Sequence, residues 1–309
     1  MVSKMTLART AATICADVFC IFLAFLPVAV LYLSGAAPFQ RGFFCDDATI
    51  AYPYRDSTIS SGTLMAVGFS LALLSIAWGE FVSVRYGGDR PCSSSSSSSA
   101  ASAIAGPPAI AGGPLRDPLA AALYARIGSF LLGAALSQAL TETAKFSIGR
   151  LRPHFLDVCR PNATALWGEC GARVGGPNYV QVEVCTGELH VIREARKSFY
   201  SGHASFSMYT MIFLALYVHA RLRWRTARLL RPLLQAALLL CAVYVGLSRV
   251  ADNMHHWGDV LVGFLQGAAV AAFVVFYVSG LFRRHGVATS ASPDGLKSDT
   301  NLQRISNNA

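Results

Sequence analysis

The chain has 309 residues, of which 53% are hydrophobic and only 14% are charged, and its formal net charge is +9 at neutral pH. Soluble domains carry roughly 25% charged residues, so this composition argues against an ordinary water-soluble protein. The net positive charge alone would suit nucleic-acid binding. Its distribution argues otherwise, because the positive residues flank apolar runs, and no nucleic-acid partner is predicted.

Apolar residues are gathered into six runs, and a membrane span needs about 20 such residues. The runs lie at approximately 10–34, 61–84, 118–143, 203–220, 233–249 and 257–282. The first run is too long, and too poor in a cleavage-site pattern, for a signal peptide. The predicted fold class is therefore all-α: a polytopic membrane protein with six transmembrane helices in a domain at 1–283.

The distribution of Lys and Arg predicts which side each loop lies on, because short loops rich in these residues stay in the cytosol. Basic residues precede the first span, fill the loop 221–232 without any acid, and follow the last span. They are Lys4, Arg9, Arg221, Arg223, Arg225, Arg228, Arg231, Arg283 and Arg284. Both termini are therefore predicted to be cytosolic, and the segments 35–60, 144–202 and 250–256 to lie outside. Topology and attraction to anionic lipid explain the cluster at 221–231.

Two stretches are predicted to lack regular structure. The cytosolic loop 85–117 contains seven consecutive serines, followed by Ala, Gly and Pro, which is a flexible composition. The cytosolic tail 284–309 is polar and is predicted to be disordered. Asp17 falls within the first span, where a polar contact between helices is the preferred interpretation. In the third span, Arg126 lies near the inner end, where its side chain can extend to the membrane interface. The small residues of that span suit close helix packing; they are Gly128, Gly133, Ala134 and Ala135.

The outer segments hold four cysteines and a glycosylation triplet. Cys45, Cys159, Cys170 and Cys185 allow at most two disulfides, and the spacing leaves all three pairings open. Asn162 begins the triplet Asn-Ala-Thr in the long outer loop 144–202, so glycosylation at Asn162 is predicted.

The first motif that carries chemistry begins at Lys145 and ends at Arg152 and Pro153. Seven residues are two helical turns, so Lys145 and Arg152 are predicted to share a helix face, with the helix stopping near Pro153. An arginine can hold two phosphate oxygens at once. Arg150 falls on another face and is interpreted as an interfacial anchor. Taken alone, interfacial anchoring is the stronger interpretation of the whole motif.

The second motif, Ser201-Gly202-His203, immediately precedes the fourth span. Ser201 is a favoured helix cap, and a helix N-terminus offers free N–H groups to an anion. Gly202 permits a close backbone approach, and His203 is placed to protonate a leaving alkoxide. Alone, an ordinary helix cap beside an interfacial histidine explains the motif equally well.

The third motif is Ser248-Arg249 at the end of the fifth span, followed by His255 and Asp259. The last two residues are four apart, so they are predicted to share a helix face. A carboxylate there would fix the tautomer of His255 and leave its other nitrogen free as a nucleophile. A structural His–Asp pair is the alternative, but a carboxylate entering a span favours function.

The three motifs come from separate helix ends, and the predicted topology places all of them outside. Together they supply cations, a helix start, two histidines and a carboxylate, a set that suits phosphoryl transfer. The sequence offers no carboxylate cluster suited to Mg²⁺ and no Cys/His spacing suited to Zn²⁺. We therefore expect no metal and no other cofactor.

These residues resemble the type-2 phosphatidate phosphatase superfamily. That pattern has Lys, six residues and Arg-Pro; then Ser-Gly-His; then Ser-Arg, five residues, His, three residues and Asp. Tyr200 is a departure, since many members have Pro there. Stretches around the motifs, such as 41–47, 52–55, 148–153, 198–205 and 255–260, look like the animal lipid phosphate phosphatase branch.

The resemblance implies a role for each matching residue. His255 would form a phosphohistidine, Asp259 would support it, and His203 would protonate the leaving alcohol. The phosphate would be bound by Lys145, Arg152, Ser201, Gly202 and Arg249. The implied substrates are phosphatidic acid, lysophosphatidic acid, sphingosine 1-phosphate and ceramide 1-phosphate in the outer leaflet.

The resemblance also implies a multi-pass protein of the plasma membrane or internal membranes. The preferred lipid, and whether the chain forms a homo-oligomer, stay open. A non-catalytic lipid-binding or adhesion member of the family is the alternative function. The presence of every expected site residue favours catalysis.

Overall fold

The computed structural model describes residues 2–86, 117–164, 170, 179–181, 184–222 and 228–282. The predicted loop at 85–117 lies almost wholly, and the predicted tail at 284–309 wholly, outside the described residues.

Within those residues, six long helices form the body of the molecule, and two short helices lie between the third and fourth of them. The long helices are α1 Val2–Leu33, α2 Ser61–Tyr86, α3 Pro118–Ile148, α6 Gly202–Arg221, α7 Leu230–Ala251 and α8 Trp257–Phe273. The short helices are α4 Phe155–Cys159 and α5 Leu189–Ala195. After α8 the chain continues as the π-helical turn Val274–Val278.

Five of the long helices are long and apolar enough to cross a membrane, over Ala8–Leu33, Ser61–Arg85, Pro118–Ile148, Leu230–Ala251 and Trp257–Val278. Helix α6 is also 20 residues long, but it carries several hydroxyl side chains. It packs against α2, α3, α7 and α8, and most of its residues are buried. Polar side chains are tolerated there because they face protein rather than lipid. The bundle has the predicted all-α, six-span architecture.

The centre of the bundle is held by aromatic side chains and close helix contacts. Phe130, Tyr209 and Phe213 are each fully buried, and the Tyr209 hydroxyl donates to the Phe130 carbonyl at 2.6 Å. Gly133 lies against the Tyr209 ring, where a Cβ atom would clash. The small residues predicted to favour close packing on α3 therefore make room for an aromatic side chain from α6.

At the inner end of the bundle, a charged group joins α2, α3 and α6. The Glu80 carboxylate is 1% exposed, accepts from Arg221 Nη2 at 2.8 Å, and lies 3.7 Å from Arg126 Nε. Tyr217 donates to the same carboxylate at 3.2 Å, and Arg126 Nη1 donates to the Ser279 carbonyl. We call these residues the inner charge cluster. Arg126 was expected to extend to the membrane interface; it is buried, because Glu80 requires a counter-charge inside the bundle.

At the opposite end, the outer segments form a small disulfide-linked layer. The bonds are Cys45–Cys170 and Cys159–Cys185, which resolves the pairing that the sequence left open. Strands β1 Phe43–Phe44 and β2 Tyr179–Val180 pair antiparallel beside them. This layer attaches the segment after α1 to the long outer loop.

The intramembrane acid of α1 makes the contact expected of it. The Tyr124 hydroxyl on α3 donates to Asp17 Oδ2 at 2.5 Å. The predicted polar contact between helices is therefore confirmed.

Candidate active site

The ends of α3, α6 and α7 and the start of α8 meet at the outer end, and they bring the three motifs together. A Cβ atom on Gly202 would lie 3.1 Å from Lys145 Nζ, so the first two motifs are adjacent. The Ser201 N–H donates to the Asp259 carbonyl at 3.1 Å, which joins the second motif to the third. Arg152 Nη1 lies 3.6 Å from the sulfur of Met254, so the first motif also reaches the third.

The start of α6 is a helix N-terminus that lies beside a lysine. Ser201 is the N-cap and its hydroxyl accepts from the Ala204 N–H at 3.4 Å. Gly202 leaves room for Lys145 Nζ directly beside the first turn. An anion bound at this position would contact the unpaired N–H groups of the first helical turn and also the ammonium group of Lys145.

Two buried arginines contribute further positive charge. Arg249 is 2% exposed, and the Arg152 side chain is 17% exposed. The Nε atoms of both are buried without a hydrogen-bond partner among the described residues. An unsatisfied buried donor is costly, and a phosphate oxygen is the acceptor that a guanidinium group pairs with best.

His255 is held in one tautomer by a backbone carbonyl. Its Nδ1 lies 2.7 Å from the Ser198 carbonyl oxygen; since that oxygen only accepts, Nδ1 carries the proton and Nε2 keeps its lone pair. Burial, and next the charges of Arg152 and Lys145, hold the pKa of His255 well below its ordinary value. The imidazole is therefore neutral at physiological pH, as a nucleophile must be.

Asp259 does not contact His255, contrary to the prediction. Its Oδ1 accepts from Arg150 Nη1 at 2.6 Å, and its Oδ2 accepts from the Ser198 hydroxyl at 2.6 Å and the His256 N–H at 3.2 Å. The expected geometry fails because α8 begins at Trp257, so His255 precedes the helix. Asp259 instead reaches His255 through Ser198, the residue whose carbonyl holds the imidazole.

The geometry of the first motif also differs from the prediction. Helix α3 ends at Ile148, and Gly149 adopts a left-handed conformation with φ of 59°. Lys145 and Arg152 therefore do not lie on one helix face; they converge because the chain turns. The same turn carries Arg150 to Asp259, so Arg150 is not the interfacial anchor that was predicted.

Ser198 and Arg150 were missed as members of the site. Gly149 was an available signal, because a glycine just past a helix is a common C-terminal stop. Had this rule been applied, α3 would have been predicted to end before Arg150, and Arg150 would not have been assigned to a face of that helix. Ser198 begins the family-like stretch 198–205, but no role was assigned to it.

His203 lies at the same site and is held by a second backbone carbonyl. Its Nε2 lies 3.1 Å from the Ile59 carbonyl oxygen. Arg249 Nη1 donates to the same oxygen at 3.1 Å. Arg249, Lys145 and Arg152 all lie close enough to interact electrostatically with His203.

Comparison with known proteins agrees with this geometry. The family model described as the PAP2 superfamily matches residues 126–283. The chain is 48% identical over 267 residues to phospholipid phosphatase 2 of Rattus norvegicus, with 86% of each chain covered. It is 47% identical to phospholipid phosphatase 2 of Homo sapiens, covering 86% of this chain and 83% of the relative.

A third relative, phospholipid phosphatase 1 of Rattus norvegicus, is 44% identical, with 86% and 85% covered. The chain belongs to the PAP2 superfamily. Its similarity to these relatives places it in the animal lipid phosphate phosphatase branch, as the motifs indicated. No solved structure matches the chain.

Every residue of the PAP2 pattern lies within this one region, and Asn162 lies apart from it. The Asn162 side chain is exposed and its Oδ1 accepts from the Thr164 N–H at 3.0 Å. Tyr200, which stands where many members have Pro, is 6% exposed. Among the described residues no group of three His, Cys, Asp or Glu side chains is arranged to hold a metal ion. The predicted absence of a metal requirement stays a prediction.

Proposed function

We propose that this protein is an integral-membrane lipid phosphate phosphatase that works through a phosphohistidine and needs no divalent metal. Its substrates are phosphatidic acid, lysophosphatidic acid, sphingosine 1-phosphate and ceramide 1-phosphate. Membership of the PAP2 superfamily and similarity to proteins named phospholipid phosphatases support the substrate class.

The observation that carries the proposal is the surroundings of His255. A neutral imidazole with a free Nε2 lies beside Lys145, two buried arginines with unpartnered Nε atoms, and the N-terminus of α6. Each of these cations already has a carboxylate within salt-bridge distance, but the two Nε atoms lack an acceptor among the described residues. A phosphate monoester in their midst would satisfy them and would place phosphorus next to the nucleophile.

The chemistry divides into two displacements. In the first, His255 Nε2 forms a bond to phosphorus as the bond from phosphorus to the lipid oxygen breaks, and His203 gives that oxygen a proton. In the second, water attacks the phosphohistidine, His203 takes back a proton, and inorganic phosphate leaves. Lys145, Arg152 and Arg249 balance the charge on the phosphoryl oxygens in both steps.

The position of the site at helix ends suits a lipid substrate. The head group reaches the cations while the acyl chains stay among the helices' lipid-facing surfaces. We further propose that this end faces outward or into a lumen, in the plasma membrane or internal membranes, with both termini cytosolic. The arginine-rich inner loops, the paired outer cysteines and the exposed Asn162 support that orientation.

The test is phosphate release from phosphatidic acid in mixed micelles with excess chelator. Wild type, His255→Ala and the exposed-site control His190→Ala would be compared at equal amounts of folded protein. We expect phosphate release by wild type and the control and none by His255→Ala, and an acid-labile phosphoprotein in wild type and the control but not in His255→Ala. Near-normal turnover by His255→Ala, or a strict Mg²⁺ requirement, would overturn the mechanism. No phosphate release by any of the three proteins would favour the non-catalytic lipid-binding alternative.

A further inference from the structure

A segment outside the family-matched region forms one wall of the site. Residues 52–60, which we call the outer strap, precede α2, whereas the match covers residues 126–283. The strap is attached to the α7–α8 turn: Asn253 Nδ2 donates to the Pro53 carbonyl at 3.0 Å. Arg55 Nη1 donates to the Ala251 carbonyl at 3.3 Å. These contacts place the end of the strap beside the phosphate-binding residues.

Thr58 is the strap's strongest attachment. Its N–H donates to Asp252 Oδ2 at 2.8 Å, and its hydroxyl donates to Asp252 Oδ1 at 2.7 Å. Asp252 in turn lies 3.6 Å from Arg249 Nη1, so Thr58 is linked to a phosphate-binding arginine through one carboxylate. Hydrogen bonds to a charged group are among the stronger ones in proteins, so Thr58 fixes the residues on either side of it.

Those flanking residues contact two groups of the proposed reaction. The Ser57 hydroxyl accepts from Arg249 Nη2 at 2.9 Å. The Ile59 carbonyl accepts from Arg249 Nη1 and from His203 Nε2, each at 3.1 Å. One peptide oxygen thus orients both a phosphate-binding arginine and the histidine assigned to the leaving group.

We propose that the outer strap is a positioning element of the active site, and that the Ile59 carbonyl fixes His203 with its proton on Nε2. This inference rests on the proposed function and adds a residue set to it. With Nε2 occupied, Nδ1 is the nitrogen that carries the transferable proton. The ring begins as an imidazolium ion, and its Nδ1 proton moves to the lipid oxygen as the phosphorus–oxygen bond breaks. The Nε2–H···O=C bond is kept before and after transfer, and the ring that remains is neutral.

The carbonyl favours the protonated ring, against burial and the nearby positive charges of Arg249, Lys145 and Arg152, which favour the neutral form. An imidazolium ion donates from both nitrogens, and a fixed acceptor on one of them favours that charged form. The two histidines of the site are therefore arranged alike: each has one nitrogen on a backbone carbonyl and the other free for chemistry. His255 uses Nε2, and His203 uses Nδ1.

The test loosens the strap at Thr58 and compares two leaving groups. Thr58→Val removes the hydroxyl at nearly constant volume, Thr58→Ser keeps it, and Thr13→Val is a matched change at an exposed position on α1, where the hydroxyl donates to the Arg9 carbonyl. Each variant would be assayed on phosphatidic acid, whose alkoxide needs protonation, and on an alkyl-substituted nitrophenyl phosphate, whose leaving group does not.

We expect kcat of Thr58→Val on phosphatidic acid to fall about tenfold or more, the worth of a hydrogen bond to a charged group. Activity on the aryl substrate should fall markedly less, Thr58→Ser should recover most of the loss, and Thr13→Val should match wild type. An equal loss of activity on both substrates would mean that the strap only supports the structure, and it would overturn the proposal. No loss of activity on either substrate would also overturn it. Failure of wild type on both substrates would instead refute the proposed function.

Discussion

The hydrogen bond between Ser198 and Asp259 predicts how the carboxylate takes part in catalysis. Asp259 touches the nucleophile only through Ser198, whose hydroxyl it accepts at 2.6 Å and whose carbonyl holds His255 Nδ1 at 2.7 Å. Ser198→Ala and Asp259→Asn should therefore weaken the same positioning device. If they do, their effects on turnover will not add.

The magnitude follows from burial and charge. Ser198 and Asp259 are both 0% exposed, and a hydrogen bond to a buried charged group contributes roughly 1.5–3 kcal/mol. If that loss falls on the orientation of His255, kcat of Ser198→Ala drops by about 10- to 150-fold, at 1.4 kcal/mol per tenfold. Because the lost bond orients the nucleophile and does not bind lipid, KM should change little.

The assay is a double-mutant cycle on kcat for phosphatidic acid. It compares wild type, Ser198→Ala, Asp259→Asn and the double variant, with Ser207→Ala as a control for loss of a buried hydroxyl. Thermal unfolding of each purified protein would show that the bundle is intact. We expect the double variant to be no slower than the slower single variant.

Two results would refute this reasoning. Wild-type kcat in Ser198→Ala would mean that the serine does not orient His255. Fully additive losses would mean that Asp259 and Ser198 act independently, and that the carboxylate works by some route other than this contact.

Three further predictions can be checked separately. Because the pKa of His255 lies well below 6.5, the proposed nucleophile stays neutral as pH falls through that value, and rapid-quench measurement of phosphoenzyme formation should show no acid limb there beyond the second ionisation of the phosphate monoester itself, titrated separately; an additional limb near 6.5 would contradict this. Glu142→Gln removes the carboxylate 2.6 Å from Lys145 Nζ, so inorganic phosphate should inhibit more strongly, by up to about tenfold; an unchanged inhibition constant would show that Glu142 does not compete with phosphate. An N-glycosidase should shift the gel band of wild type but not of Asn162→Gln, and a band that shifts in neither would leave the proposed orientation without that support.

The sequence predicted the helices and the membership of the site well because both depend on local signals. Apolar runs of about the length of a bilayer predicted the six spans, and the run at 203–220 predicted α6 although that run is slightly short. The site motifs were found because phosphate chemistry demands particular residue types at helix ends.

What failed was the geometry between elements. The seven-residue separation between Lys145 and Arg152 was interpreted as two turns of one helix, but α3 ends between them, at the left-handed Gly149. His255 and Asp259 were placed on one helix, but α8 starts two residues after His255. In both cases an error of a few residues in a helix boundary changed which side chains meet. Arg126 was misplaced for another reason: its partner Glu80 lies on a different helix, which no spacing within one span reveals.

The inner charge cluster makes the two ends of the bundle unequal. Its arginines turn onto the Glu80 carboxylate and the Ser279 carbonyl, so they tie helices together instead of facing a head group. The proposed active site lies at the other end, so the proposed function restricts hydrolysis to lipids whose phosphates lie at that surface of the bilayer. A lipid phosphate synthesised in the opposite leaflet would then have to cross the membrane before this protein could hydrolyse it.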